Sequence, residues 1–146
     1  MAYSGVKDCT LALDKMLRQG HICKVLLVSV SEKRTVKHFN EYIANKASIK
    51  ALFPLWHKDC KECLNELLGL GYTCRIKAVD TRFLSKSYLG KELNKSLIPD
   101  FEKLKIDICG EFGEYHIMIN DGPIFSKKIP FNFKKIYRNG NNSYLI

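Results

Sequence analysis

The sequence predicts an α/β fold, a parallel sheet layer near the N-terminus followed by a smaller α+β domain. Three observations carry this expectation. A helical pattern over Asp8–Gln19 leads into Lys24–Val30, an apolar run without alternation, the kind of strand covered on both faces. Thr73–Asp80 does alternate, with Cys74, Ile76 and Ala78 set against Arg75 and Lys77, as in a half-buried strand. Tyr115–Ile119 then precedes an Asp121-Gly122-Pro123 turn and a returning segment, a β-rich tail.

Each element has its own signals. In the first helix Leu11, Leu13, Met16 and Leu17 recur at helical spacing, and Gly20 is placed to end it. Ser31–Thr35 is polar and reads as a loop, and His38–Ser48 as a helix with a thin apolar face. Leu52–Trp56 is a second short apolar stretch, which Pro54 keeps out of a central ladder. Asp59 can cap the next helix, with Glu62 at the capping-box position and Leu64, Leu67 and Leu68 on its buried face. Gly69 and Gly71 end it, and Ser87–Leu104 holds helical stretches interrupted at Pro99. Ile124–Ile129 is the returning segment, and Phe131–Tyr137 adds another. A boundary near Trp56 divides the chain into 1–56 and 57–146.

At 146 residues and 46% apolar, the chain can bury a core without staples. Its longest apolar runs, such as Val25–Val28, are too short to span a bilayer, and no leader pattern is visible. A soluble, cytoplasmic protein without a membrane partner is expected. Six cysteines scattered through core-forming sequence are expected as free thiols in a reducing compartment. The net charge of +9 raises nucleic acid as a partner. The lysines are spread along the whole chain, however, so a solvated basic surface is the favoured reading.

Two clusters carry candidate chemistry. In Ser4-Gly5-Val6-Lys7-Asp8 a glycine loop opens a helix whose unpaired N–H groups and positive end suit a phosphate. Lys7 would neutralise charge there, and Asp8 would cap the helix or help to hold a metal; a plain turn with an N-cap fits the same residues. In Cys109-Gly110-Glu111-Phe112-Gly113-Glu114-Tyr115-His116 two glycines bracket two carboxylates ahead of a strand. Such a loop can bind a cationic or amide-bearing substrate, place a metal or move protons, or it is a solvated turn. His57, Cys60 and Cys63 have metal-like spacing, but no second pair completes a tetrahedral site, so no metal ligands are assigned. Cys9 sits at a helix start, where a thiolate is stabilised, without an identifiable histidine partner.

Taken together, these pieces resemble the diphthine–ammonia ligases and related N-type ATP pyrophosphatases of the PP-loop superfamily. "YSGVKDCTLAL" resembles the pyrophosphate loop, usually Ser-Gly-Gly-Lys-Asp-Ser before a helix. "LVSVSEKRTVKHFN", "LFPLWHKDCKECLNELLGLGY" and "YLGKEL" are similar to later family segments, and "DICGEFGEYHIMINDGPIF" to the C-terminal signature. The resemblance implies a truncated PP-loop (adenine nucleotide alpha-hydrolase-like) parallel sheet layer with an α+β C-terminal domain. It further implies ATP and Mg²⁺ as cofactors, and as substrates ammonia and the diphthine carboxylate on translation elongation factor 2. AMP is transferred to that carboxylate, pyrophosphate leaves, and ammonia attacks. By position, Ser4, Gly5, Lys7, Asp8 and Cys9 fall on the nucleotide loop. Gly110, Gly113 and Tyr115 fall beside the substrate, and Glu111 and Glu114 are the candidate catalytic carboxylates.

The chain departs from the family pattern at named places. Val6 stands where the family has the loop's second glycine, setting a Cβ where backbone should approach phosphate. Cys9 replaces a hydroxyl residue, and Phe112 and His116 differ from the usual signature. Glu41–Lys50 alone spans an interval that in family members holds a long α/β stretch. A non-catalytic binding module that has lost the nucleotide site is the alternative function.

Overall fold

The computed structural model describes residues 7–20, 34–46, 48 and 50–146. Within them the helices are α1 (Lys7–Arg18), α2 (Arg34–Lys46), α3 (Cys60–Gly69) and α4 (Ile98–Lys103). The strands are β1 (Thr73–Asp80), β2 (Glu92–Leu93), β3 (Tyr115–Asp121), β4 (Ile136–Asn139) and β5 (Asn142–Leu145). The fold is mixed α/β. The strand expected at Lys24–Val30, on which the parallel layer rests, lies outside the described residues. Every strand pairing that is described is antiparallel.

β1 is the hub of the sheet. β3 pairs with it from Thr73 to Val79, while β2 meets Cys74–Arg75 and β5 meets Ala78–Asp80; β4 pairs with β5. A register shift between Ile76 and Ala78 lets both Ile76 and Val79 face the core. Against that face lie Leu11 and Ala12 of α1, Cys63, Leu64 and Leu67 of α3, and Phe101 of α4. Burying such side chains is the main favourable term in folding.

Local signals explain most of the boundaries. Asp59 accepts a hydrogen bond from the Glu62 amide at 3.0 Å and so starts α3 where its cap predicts. Gly20 adopts φ +78° two residues after the end of α1, as a helix-ending glycine does. The sequence expectation fails elsewhere. Pro99 lies in the first turn of α4 and opens it rather than interrupting it, since its missing N–H has no helical partner there. Ile124–Ile129 forms no strand; Phe125 N–H closes a turn on Gly122 O at 3.0 Å, Ile129 N–H reaches Asn120 O of β3 at 2.8 Å, and Pro123 and Pro130 flank the segment. The tail instead closes as a β4–β5 hairpin about Gly140.

One polar tie fixes α1 to the sheet. The Tyr72 hydroxyl donates to Asp14 Oδ1 at 2.8 Å and the Arg18 Nε–H donates to Asp14 Oδ2 at 2.6 Å, with Asp14 buried. This holds the second half of α1 against the residue that immediately precedes β1.

Candidate functional site

Lys7 is the first residue of α1 and is only 6% exposed. Burying an ammonium is costly unless it is paired, and Lys7 is paired twice. Its Nζ donates to Asp8 Oδ2 at 2.9 Å and to Glu111 Oε1 at 2.7 Å. Burial pulls the Lys7 pKa down, but the two carboxylates outweigh it and leave the amine above its ordinary value. Burial pushes the Asp8 carboxyl up, against the pull of Lys7, and the Glu111 charge adds to the rise.

Glu111 is held in place by its own loop. Its amide donates to Asp107 Oδ2 at 2.7 Å, and the Gly113 amide donates to Gly110 O at 3.1 Å. The buried Glu114 carboxylate accepts from the Asp107 amide at 3.1 Å and from the Phe112 amide at 3.2 Å. Both of its oxygens are turned to loop backbone. Gly110 takes φ +68°, and a Cβ there would stand 2.8 Å from the Tyr115 carbonyl. The Tyr115 ring is buried, its hydroxyl donates to Ile108 O, and burial drives its pKa upward.

Lys7, Asp8, Gly110, Glu111 and Tyr115 thus line one open cleft of about 230 Å³, with Cys109, His116 and Ile117. Two segments that the sequence presents as separate clusters meet there. Gly113 and Glu114 shape the loop behind the cleft without lining it. Cys9 follows in α1, half-buried and outside the lining, and Ser4 and Gly5 lie outside the described residues. Asp107, whose carboxylate holds the Glu111 amide, is a residue that sequence reasoning does not single out; His116 closes the second candidate cluster but carries no assigned role there.

The cysteines require a correction. Cys60, at the start of α3, and Cys109, before Gly110, are joined as a disulfide, with Cα atoms 6.4 Å apart. The start of a helix and a loop 49 positions later converge, which spacing along the sequence does not reveal. Cys9, Cys63 and Cys74 are outside this bond. Among the described residues no three His, Cys, Asp or Glu side chains gather as a metal-binding set, and no helix is long and apolar enough to cross a membrane.

Comparison with known proteins places this loop in a family. Residues 59–146 match the family described as Diphthamide synthase C-terminal domain. A diphthine–ammonia ligase of Schizosaccharomyces pombe is 30% identical over 110 residues, which cover 72% of this chain and 18% of that protein. Proteins of the same name from Danio rerio and Homo sapiens are 32% and 30% identical over 93 residues, 61% of this chain. The matched region spans 36% and 35% of those two proteins. With three-fifths of its length matched, from the cap of α3 through the Glu111 loop to β5, the chain belongs to the diphthamide synthase C-terminal domain family.

Proposed function

We propose that the chain takes part in ATP-dependent amidation of diphthine on translation elongation factor 2, with the cleft at Lys7 and Glu111 as its phosphate- and substrate-side site. The observation that carries this reading is the 2.7 Å contact between Lys7, on the segment resembling a pyrophosphate loop, and Glu111, on the C-terminal signature. Its relatives' name supports the substrate class.

The charges of the cleft say what it would take. One ammonium and two carboxylates sum to minus one when all are ionised, so a bare phosphate would be repelled. Asp8 and Glu111 offer the hard oxygen donors that suit Mg²⁺, which binds through one or two carboxylates together with nucleotide phosphates. Lys7 would then hold a phosphate oxygen next to that metal, at a helix start that favours anions. ATP supplies the AMP group that activates the carboxylate; the residues here position it and neutralise the departing pyrophosphate. His116 faces the same cleft and is placed to meet the polar substrate.

A calorimetric titration tests this reading. Pyrophosphate and ATP should bind in a Mg²⁺-dependent manner, and binding should be lost in Lys7→Ala. ATP-to-pyrophosphate exchange should appear when diphthine-bearing elongation factor 2 is added. If millimolar MgATP gives no thermal protection, the nucleotide reading fails and the non-catalytic binding module replaces it.

A further inference from the structure

The Cys60–Cys109 bond ends one residue short of Gly110 and two short of Glu111, and it faces the cleft. Cys109 is among the lining residues, although only 7% exposed, whereas Cys60 is half-buried and reachable from solvent. The Cys60 sulfur lies 3.6 Å from Glu111 Oε1, the same oxygen that accepts from Lys7. Cys60 also opens α3, an end of the helix that favours negative charge. The other described cysteines of the core offer a contrast. Cys63 and Cys74 are buried, and burial pushes the Cys74 thiol up to about 12, far from a reactive thiolate.

From this geometry we infer that Cys60 and Cys109 are a reversible thiol–disulfide modification site, oxidised by low-molecular-weight disulfides such as glutathione disulfide, whose state sets how the Lys7–Glu111 pair is held. The exchange balances in two steps. The Cys60 thiolate attacks one sulfur of the small disulfide, a mixed disulfide forms, and one small thiolate leaves. The Cys109 thiolate then attacks the Cys60 sulfur, closing the protein bond and expelling the second small thiolate. The two protein thiol protons end on the two leaving thiolates, so one disulfide has been reduced and the protein dithiol oxidised.

The consequence for Glu111 follows from hydrogen-bond chemistry. A thiol can donate to Glu111 Oε1, whereas a disulfide sulfur has no proton to give. In the crosslinked form Glu111 turns to Lys7, and the loop is tied to α3. In the dithiol form Cys60 competes for the same oxygen and the tie is gone. The functional meaning of this switch rests on the reading of Lys7 as a phosphate ligand given above, but its chemistry does not.

The test uses the full chain equilibrated in glutathione buffers of rising oxidised fraction, followed by quenching and peptide mass mapping. A Cys60–Cys109-linked peptide should appear and should disappear when reduced glutathione is restored. In the same samples Lys7 acylation by a water-soluble amine reagent should be several-fold slower in the crosslinked form, with exposed Lys134 as an unchanged reference. Cys60→Ser should show the fast rate in every buffer, and Cys109→Ser, which stops at the mixed disulfide on Cys60, should give no linked peptide. Absence of the linked peptide in oxidising glutathione overturns the inference, as does an equal Lys7 rate in both states. Pyrophosphate titration of the fully reduced protein reads the phosphate site separately, so a failure there leaves the thiol pair standing and sinks only the nucleotide reading.

Discussion

Lys7 Nζ and Glu111 Oε1 lie 2.7 Å apart across 104 positions of sequence, and the two partners differ sharply in burial. The Lys7 side chain is 8% exposed and that of Glu111 45%. Removing the buried partner strands a charge, because Asp8 beside it is buried too; neutralising the exposed partner leaves an amide that water still solvates and Lys7 still paired with Asp8. Lys7→Ala is therefore expected to cost about 2–4 kcal/mol of stability, and Glu111→Gln less than about 1 kcal/mol. Chemical denaturation of both variants checks the asymmetry, and equal losses would show that the pair is not seated as described. Magnesium-dependent pyrophosphate binding should weaken in both, by about tenfold or more.

Glu114 offers a second separation, between a residue that shapes the site and one that does chemistry. Its two oxygens are engaged by the amides of Asp107 and Phe112. Glu114→Gln keeps one acceptor and presents an NH₂ where the other N–H points. The loss should be roughly 1–3 kcal/mol, the cost of an unsatisfied buried donor. A group that moved protons would instead change a pH–rate profile at unchanged melting temperature. The expected result is a lowered melting temperature with the magnesium dependence of ligand binding preserved.

The two signature glycines should respond unequally to alanine. A Cβ at Gly110 meets the Tyr115 carbonyl at 2.8 Å, on backbone that cannot swing away, whereas at Gly113 nothing lies within 4 Å. Gly113, at φ +85°, is left with the left-handed penalty of roughly 1–2 kcal/mol. Gly110→Ala adds an overpacking cost of about 1–3 kcal/mol to the same penalty. Thermal melts that rank the two variants the other way would contradict the loop geometry.

Legibility followed the range of the interactions. The α3 cap and the β1 alternation are written within a few residues, Asp59 to Glu62 and Cys74 to Ala78, and the structure has both. Lys7, Asp8 and Glu111 stand out by residue type, and Gly110 and Tyr115 by the family resemblance, yet nothing local says that they share a cleft. Their meeting depends on α1 seating against the sheet through Leu11, Ala12 and the Asp14–Tyr72 bond, all long-range. The Cys60–Cys109 bond was hidden for the same reason. The returning segment Ile124–Ile129 meets β3 only where Ile129 bonds Asn120, because the flanking Pro123 and Pro130 have no N–H to extend a ladder.

The Asp14 carboxyl gives the fold a pH signature. Burial alone would raise its pKa, but hydrogen bonds from Arg18 and Tyr72 and the nearby cations outweigh it and hold the group below the usual carboxylate range. A carboxyl depressed in the folded state stabilises at pH above its unfolded value, about 3.9, and that stabilisation is lost as pH falls through the folded value. Asp14→Asn should therefore be less stable at neutral pH, with the gap to the parent closing below about pH 4. Urea melts from pH 7 down to pH 3 measure it, and a gap independent of pH would remove Asp14 from the linkage.

Gly122 closes the last link between β3 and α1. It adopts φ +150°, and a Cβ there would fall 2.1 Å from Tyr72 Cδ1 and 2.5 Å from Cε1. The ring is 4% exposed and its hydroxyl is bonded to Asp14 at 2.8 Å, so it cannot turn aside and keep that bond. Gly122→Ala should thus cost about 2–4 kcal/mol, combining overpacking with the loss of a hydrogen bond to a charged group. Tyr72→Phe alone should cost only the bond, roughly 1–2 kcal/mol. The decisive measurement is the pair with Tyr72→Ala, which deletes the ring that the new methyl strikes. In that background Gly122→Ala should retain only its backbone penalty, so the double variant should be more stable than the sum of the singles predicts by about 1 kcal/mol or more. Strict additivity would mean that the Cβ and the ring do not meet, and that α1 is not locked to the end of β3 through Tyr72.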